Sequence, residues 1–416
     1  MRTDEPRVSV IIPTYNRAGY LALALRSIAR QSLRPAEVIV VDDGSTDDTQ
    51  NVVRASGLDV RYLRQNHEGV AAARNRGVRA ATGDLIAWLD SDDLWEPSFL
   101  ATLVPLLTAN DGWDGVYCGA STIDAAGDPL PQVQDRVAPP EQLYDALLEG
   151  NFIMTPALVL RKRCLAKAGP FAALPTCEDY DMWLRLARAG ALVGVRDILI
   201  KCRVHGGNTI GNLALFRQSL LTMMANHFGP AEGDAEEWSP DKRRAYGFAY
   251  RSAALTYLQE GADDRALALL SAAVHTWPPL LARLDTSYEL AVGGQERSHR
   301  GQAARLDLRA NRARMLAWLD GLYASPAAAL APYRRKAYGH AYLALAMLYD
   351  QAGEWAAARQ CLLRALRADP DLVRSPAVAR RLLKLLVGKR AAALARGTVR
   401  WMRGALVAGR APGREA

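Results

Sequence analysis

The feature that most restricts the fold of this 416-residue chain is a series of four β-branched runs near its start. VSVII (Val8 to Ile12), EVIVV (Glu37 to Val41), VRYL (Val60 to Leu63) and DLIAWL (Asp84 to Leu89) are each followed by a helical pattern. Apolar runs without polar alternation are buried on both faces, the condition of a parallel sheet with helices on each side. The expectation is an α/β domain, mostly parallel, with right-handed crossovers. Ligands of such sheets gather at the carboxyl ends of the strands, where loops from different crossovers converge. Those ends read PTYNR (Pro13 to Arg17), DDGSTDD (Asp42 to Asp48) and DSDD (Asp90 to Asp93), so acidic residues collect on one rim.

Carboxylates grouped in this way repel one another unless a cation stands between them. Asp42 or Asp43, with Asp90, Asp92 and Asp93, form such a group, and a divalent ion bound to a diphosphate has the charge to relieve it. Mg2+ and Mn2+ take oxygen ligands, usually one or two from carboxylates, with phosphate oxygens and water completing the shell. On an extended segment the D-x-D spacing points Asp90 and Asp92 the same way, leaving one for the ribose and the other for the ion. A plain helix start at DSDDLWEP would need one capping residue, not three.

Five ordered stretches carry a resemblance: VSVIIPTYNRAGYLALALRSIARQS, EVIVVDDGSTDDT, NHEGVAAARNRGVRAATGDLIAWLDSDD, EDYDMWLRLARAG and CRVHGGNT. In order and spacing they resemble the family 2 glycosyltransferases, whose nucleotide-sugar fold is called GT-A, over roughly residues 7 to 212. The resemblance implies an inverting transfer from a nucleotide-diphosphate sugar, with UDP-sugar preferred, to a glycan or lipid-linked acceptor. It also implies Mn2+ or Mg2+ as cofactor. Pro13 and Tyr15 would wall the nucleotide base, Asp43 would hydrogen-bond uracil with Asp42 beside it, and Arg74 would pair with phosphate or base edges. Asp92 would ligate the metal, with Asp90 and Asp93 in adjoining roles that the motif does not separate. Asp179, with Glu178 beside it, would be the general base that takes the acceptor's proton. His205 would meet the metal or diphosphate from a loop freed by Gly206 and Gly207. NFIMTPALVLRKR and Trp183 fall where relatives bind acceptors, yet serve equally as core.

Beyond about residue 228 the texture turns to Ala, Leu and Arg. The expected organisation is a catalytic GT-A domain over 1–228, a linker over 229–243 and an α-helical domain over 244–416. A repeat at an offset of 92 matches Tyr246/Tyr338, Gly261/Gly353, Ala266/Ala358 and Pro278/Pro370, as 338 − 246 shows. Each unit reads helix, Gly turn, helix, Pro stop and resembles a tetratricopeptide hairpin, although Ala-rich helices can look alike by composition alone. Leu281 to Ala337 must then supply intervening helices. Such a module would recruit a protein partner or position the acceptor.

The net charge of +8 owes much to the tail from Arg380, which carries many cations and no acid until its last residues. Lys389, Arg396, Arg400 and Arg403 fall on one side of a helical wheel, as in an interfacial helix on an anionic membrane, or as the solvated face of a last array helix. No aromatic-interleaved basic surface suggests nucleic acid. Five cysteines without paired spacing, and no long apolar segment, fit a cytoplasmic protein, peripheral at most to a membrane. A rival from another class is a nucleotide-binding scaffold whose helical half does the work. A second is a nucleotidyltransferase, which would want a Gly-rich basic loop where this chain has PTYNR.

Overall fold

The computed structural model describes residues 6–206, 211–295, 302–324 and 328–381. The chain forms two compact units, Met1–Thr256 and Tyr257–Ala416. The first unit opens with β1 (Val8–Thr14), α1 (Ala18–Ala29), β2 (Glu37–Asp42), α2 (Thr49–Arg54), β3 (Val60–Arg64), α3 (Val70–Ala80) and β4 (Leu85–Trp88). These are the four runs read from the sequence, and their ladders are parallel in the order β3-β2-β1-β4.

The chain continues through β5 (Leu94–Trp95), α4 (Phe99–Thr108), β6 (Gly115–Ile123), β7 (Pro129–Gln134), α5 (Pro140–Leu148), β8 (Leu158–Arg161), α6 (Lys162–Ala168), α7 (Glu178–Ala189), β9 (Leu192–Arg203) and α8 (Leu213–Phe228). These strands extend the sheet as β4-β8-β6-β9-β5, with β7 on β6. Pairings β4/β8, β6/β8, β5/β9 and β6/β7 are antiparallel and β6/β9 is parallel, so the sheet is mixed.

The period-two alternation of strand side chains makes two cores. Ile11, Ile39, Val41, Ile86 and Trp88 pack on one face with residues of α3, α5, α6, α7 and α8. Val10, Ile12, Val38, Val40 and Leu85 pack on the other with Leu21, Leu25 and Ile28 of α1 and Leu103 and Leu107 of α4. Every apolar position of β1, β2 and β4 is thus buried, which is why those runs lack polar alternation, while β3 at the edge is only partly covered.

The stretch read as a linker holds a 3-10 turn at Ala235–Glu237 and the start of α9 (Pro240–Gln259), whose last residues enter the second unit. Beyond it lie α10 (Asp263–Thr276), α11 (Leu284–Val292), α12 (Leu308–Ala324), α13 (Arg334–Gln351) and α14 (Trp355–Ala368). The repeat has a local counterpart: α9 and α13 each end at a left-handed glycine, Gly261 (φ 71°) and Gly353 (φ 82°). α10 and α14 each stop before a 3-10 turn opened by Pro278 or Pro370, and Ala266 and Ala358 are both buried. α11 and α12 are the intervening helices. All five cysteines are free thiols. No described helix is long and apolar enough to cross a membrane. The basic tail lies outside the described residues after Arg381.

Candidate active site at the carboxyl rim of the sheet

The ends of β1 and β2 make the first wall. Pro13 is buried within β1, paired with Val41, whereas Tyr15 is 41% exposed and stacks on His67 with ring centroids 4.0 Å apart. Asn16, next in the chain, takes a left-handed conformation (φ 50°). Its amide donates to Ser45 Oγ at 2.9 Å and its Oδ1 accepts from Thr46 N at 2.7 Å, which ties the β1 loop to the β2 loop. Asp42 accepts from Ser45 N at 2.7 Å and from the Tyr62 hydroxyl. Burial, with Asp42 adding, pushes that phenol up to about 12.

Asp43 is a strut. Its Oδ1 accepts from Gln65 Nε2 and Glu68 N, each at 2.8 Å, and its Oδ2 from Gly69 N at 2.9 Å, with His67 Nδ1 3.0 Å away. Gly69 has φ 91°, a conformation that lets its amide turn back to the carboxylate just before α3 begins. Both oxygens of Asp43 therefore carry donors from the 65–69 loop.

Arg74 of α3 joins the rim to the start of α7. Only 3% exposed, its guanidinium donates to Asp90 Oδ1 at 2.8 Å and to Glu178 Oε1. Burial alone would pull its pKa down, but Asp90, Glu178 and Asp179 outweigh burial and hold it charged. Beneath it Trp88, Phe171 and Trp183 meet edge to face, with the guanidinium 5.6 Å from the Phe171 centroid. Asn75 fixes this floor by a two-way bond with the Phe171 backbone, at 2.9 and 2.8 Å. Trp183 is fully buried, its indole donating to Ile153 O at 3.0 Å, so it packs the core.

Glu178 and Asp179 begin α7, where the helix dipole favours negative charge. The preceding Cys177 is left-handed (φ 65°), a strained turn for a residue with a side chain. Burial nevertheless pushes the Glu178 carboxyl up to about 7, with Arg74 opposing and Asp179 adding. Asp179 is also raised by burial, again with Arg74 opposing. The two acids differ in partners: Glu178 is paired with Arg74, while Asp179 Oδ2 accepts only neutral donors, Asn151 Nδ2 at 3.3 Å and Thr155 Oγ1 at 3.2 Å.

The acidic stretch after β4 is not extended. Asp93 N donates to Asp90 O at 3.0 Å, closing a turn that redirects the chain toward β5, and the three carboxylates take different partners. Asp90 meets Arg74, and Asp92 meets Arg17 at 2.6 Å and His205 at 3.0 Å. Asp93 accepts from Arg203 N at 2.8 Å, and burial, then Asp92 and Asp90, hold its carboxyl well above the usual range. The structure thus brings Asp92 and His205 together, while Asp93 accepts from the Arg203 backbone. Among the described residues no group of three or more His, Cys, Asp or Glu is placed to hold a metal ion. The Asp92–His205 pair fits part of a shell: 3.0 Å between Oδ2 and Nε2 is close to the edge between neighbouring ligands of an octahedral ion with bonds of about 2.1 Å. A carboxylate oxygen suits Mn2+ or Mg2+ alike, and the imidazole nitrogen favours Mn2+ of the two, when phosphate oxygens supply the remainder.

Arg203 secures this corner, donating from Nε to Asp92 O at 3.0 Å and from NH1 to Asp124 O and Ala125 O at 3.1 and 3.2 Å. Sequence reasoning singled out none of Arg203, Arg17, His67, Asn151 or Thr155 individually, though Asn151 and Thr155 lie in the stretch expected at the acceptor or in the core. Arg203 and Arg17 lie inside quoted motifs, RVHGG and PTYNR, where a buried cation beside several acids is the available signal. For Asn151 and Thr155 the stretch was legible but not the contact, since nothing along the chain announces Asp179.

A mixed α/β sheet whose carboxyl rim gathers acids, arginines and a histidine from separate loops defines a GT-A-type enzyme. The chain belongs to glycosyl transferase family 2, whose sequence model matches residues 9–164. An uncharacterized glycosyltransferase of Rickettsia typhi is 31% identical over 221 residues, covering 50% of this chain and 67% of that protein. One from Rickettsia felis is 34% identical over 217 residues, covering 50% of this chain and 36% of its own, so the chain spans little more than a third of that relative. Residues 1–349 of S. aureus TarS, in a crystal structure with UDP-GlcNAc, share the fold at a TM-score of 0.50 and 17% identity, covering 80% of this chain and 91% of that one.

Proposed function

We propose that the protein transfers a sugar, with inversion, from a nucleotide diphosphate, UDP being preferred, to a hydroxyl of a glycan or lipid-linked acceptor. The observation that carries this reading is the Arg74 bridge. One buried guanidinium joins Asp90 on the donor rim to Glu178, the neighbour of Asp179, so donor side and base are held in one rigid network. Tyr15 and His67 offer a face for the base, and Asp43 fixes the loop that carries His67. A divalent ion held by Asp92 and His205 would neutralise charge on the departing diphosphate.

Asp179 is the base on this reading. Its Oδ2 is aimed by Asn151 and Thr155 without being neutralised by a direct cation, and burial raises its basicity. The acceptor hydroxyl gives its proton to Asp179 as its oxygen bonds to the anomeric carbon. The bond from that carbon to the diphosphate breaks on the opposite face, and the nucleotide leaves with the electron pair. Glu178, engaged by Arg74, positions the network. The helices from α9 onward, with their two hairpin-like repeats, would act as a tetratricopeptide-like support for acceptor or partner.

Calorimetry with UDP, with and without Mn2+, tests the donor side, and Asp92→Ala should abolish the gain that Mn2+ gives. Asp179→Asn should bind UDP as the wild type does and lose about 10²- to 10⁴-fold in turnover, the usual reach of a general base. Equal turnover would remove Asp179 from the role.

A further inference from the structure

We propose that Arg17 is an exchangeable counter-ion: it holds Asp92 while the site is empty and passes to the diphosphate when ion and nucleotide arrive. The inference rests on the transferase reading above and concerns a residue to which that reading gives no part.

Asp92 is buried, its side chain only 6% exposed, and a carboxylate so placed needs a cation beside it. Arg17 supplies one, with NH1 2.6 Å from Asp92 Oδ2, and that same oxygen lies 3.0 Å from His205 Nε2. An ion bound between this oxygen and His205 would stand within about 5 Å of the guanidinium, and like charges at that range repel strongly. Arg17 and the ion therefore compete for one oxygen.

The backbone around Arg17 is fixed while its side chain reaches the rim partly exposed. Asn16 is tied to Ser45 and Thr46, and Ala18 N donates to Asp47 Oδ2 at 2.9 Å. The Arg17 side chain is 24% exposed, against 4% for Arg74, which is locked between two acids. A guanidinium released at this rim has an obvious new partner, since its planar fork matches phosphate oxygens in a bidentate fashion. Before the donor arrives Arg17 keeps Asp92 paired and aimed, and afterwards it adds positive charge to the leaving group.

The test is calorimetry on the full chain with wild type, Arg17→Ala and Arg17→Lys, using Mn2+ alone and then UDP in Mn2+. Arg17→Ala should bind Mn2+ alone about tenfold more tightly, because its competitor is gone, and UDP in Mn2+ about tenfold more weakly, the scale of one charged hydrogen bond. Arg17→Lys, which keeps the charge without the fork, should fall between and guards against misfolding of the alanine variant. Unchanged or weaker Mn2+ binding in both variants, or unchanged UDP binding, overturns the exchange. If wild type binds no UDP with Mn2+ present, the transferase reading falls and this inference with it. UDP binding by wild type with no effect of either variant sinks the exchange alone.

Discussion

Replacing Glu178 with glutamine sets two opposing effects of the site against each other, the cost of burying a charge and its attraction to Arg74. Glu178 is 6% exposed, and its carboxyl titrates at about 7 rather than the ordinary 4.5, so burial outweighs the guanidinium. The folded protein keeps a proton that the unfolded chain releases from pH 4.5 upward. The stability that this proton contributes is complete below pH 4.5 and is lost as pH rises to about 7, at about 1.4 kcal/mol per pH unit. Above pH 7 the ionised side chain therefore costs about 3 kcal/mol relative to a neutral one. Glutamine keeps the shape and an oxygen for Arg74. Glu178→Gln should thus be more stable than wild type by up to about 3 kcal/mol at pH 8, roughly 6 °C in melting temperature for a unit of this size, and by under about 1 kcal/mol at pH 5. Asp179 and Asp93, raised in the same direction, give both proteins a residual slope, so the difference between the two proteins is the quantity to read. Urea unfolding at the two pH values measures it, with equal m-values required. A variant less stable than wild type at pH 8 would mean that the ion pair wins and that the reasoning about burial is wrong.

Two further substitutions probe the same frame. Arg74→Met leaves Asp90 and Glu178 facing each other without their cation and should cost about 3–5 kcal/mol at pH 8, and less at pH 5.5 where Glu178 holds its proton; urea midpoints at both pH values check this. Gly77→Ala would drive a methyl into the Ile11 side chain where α3 lies on β1, and an overpacked contact of that kind should cost about 1–3 kcal/mol in the same assay.

The parallel half of the sheet was legible because three of its four strands, β1, β2 and β4, are buried on both faces, and a strand such as Val38 to Val41 feeds alternate residues into two cores. The antiparallel half was not, because β7 is half exposed and β5 is two residues long, too short to leave a periodic trace. The rim acids were legible as a cluster of charge. Their division of labour was not, since the turn at Asp90 to Asp93 is closed by a backbone bond that no residue type announces, and it gives Asp93 the Arg203 amide as its partner. Arg74 stood out only through its motif, and its partner Glu178 lies 104 positions away. The Arg17–Asp92 pair spans 75 positions and has no local signature at all.

The central claim is that Asp92 and His205, brought together from separate loops, hold one divalent ion against a nucleotide diphosphate. Anomalous diffraction from a crystal grown with UDP and Mn2+ measures this directly. The account predicts a single manganese peak on the rim, about 2.0–2.3 Å from Asp92 Oδ2 and His205 Nε2, with the diphosphate completing its shell. A peak away from Asp92, or UDP bound elsewhere with no manganese on the rim, would contradict it.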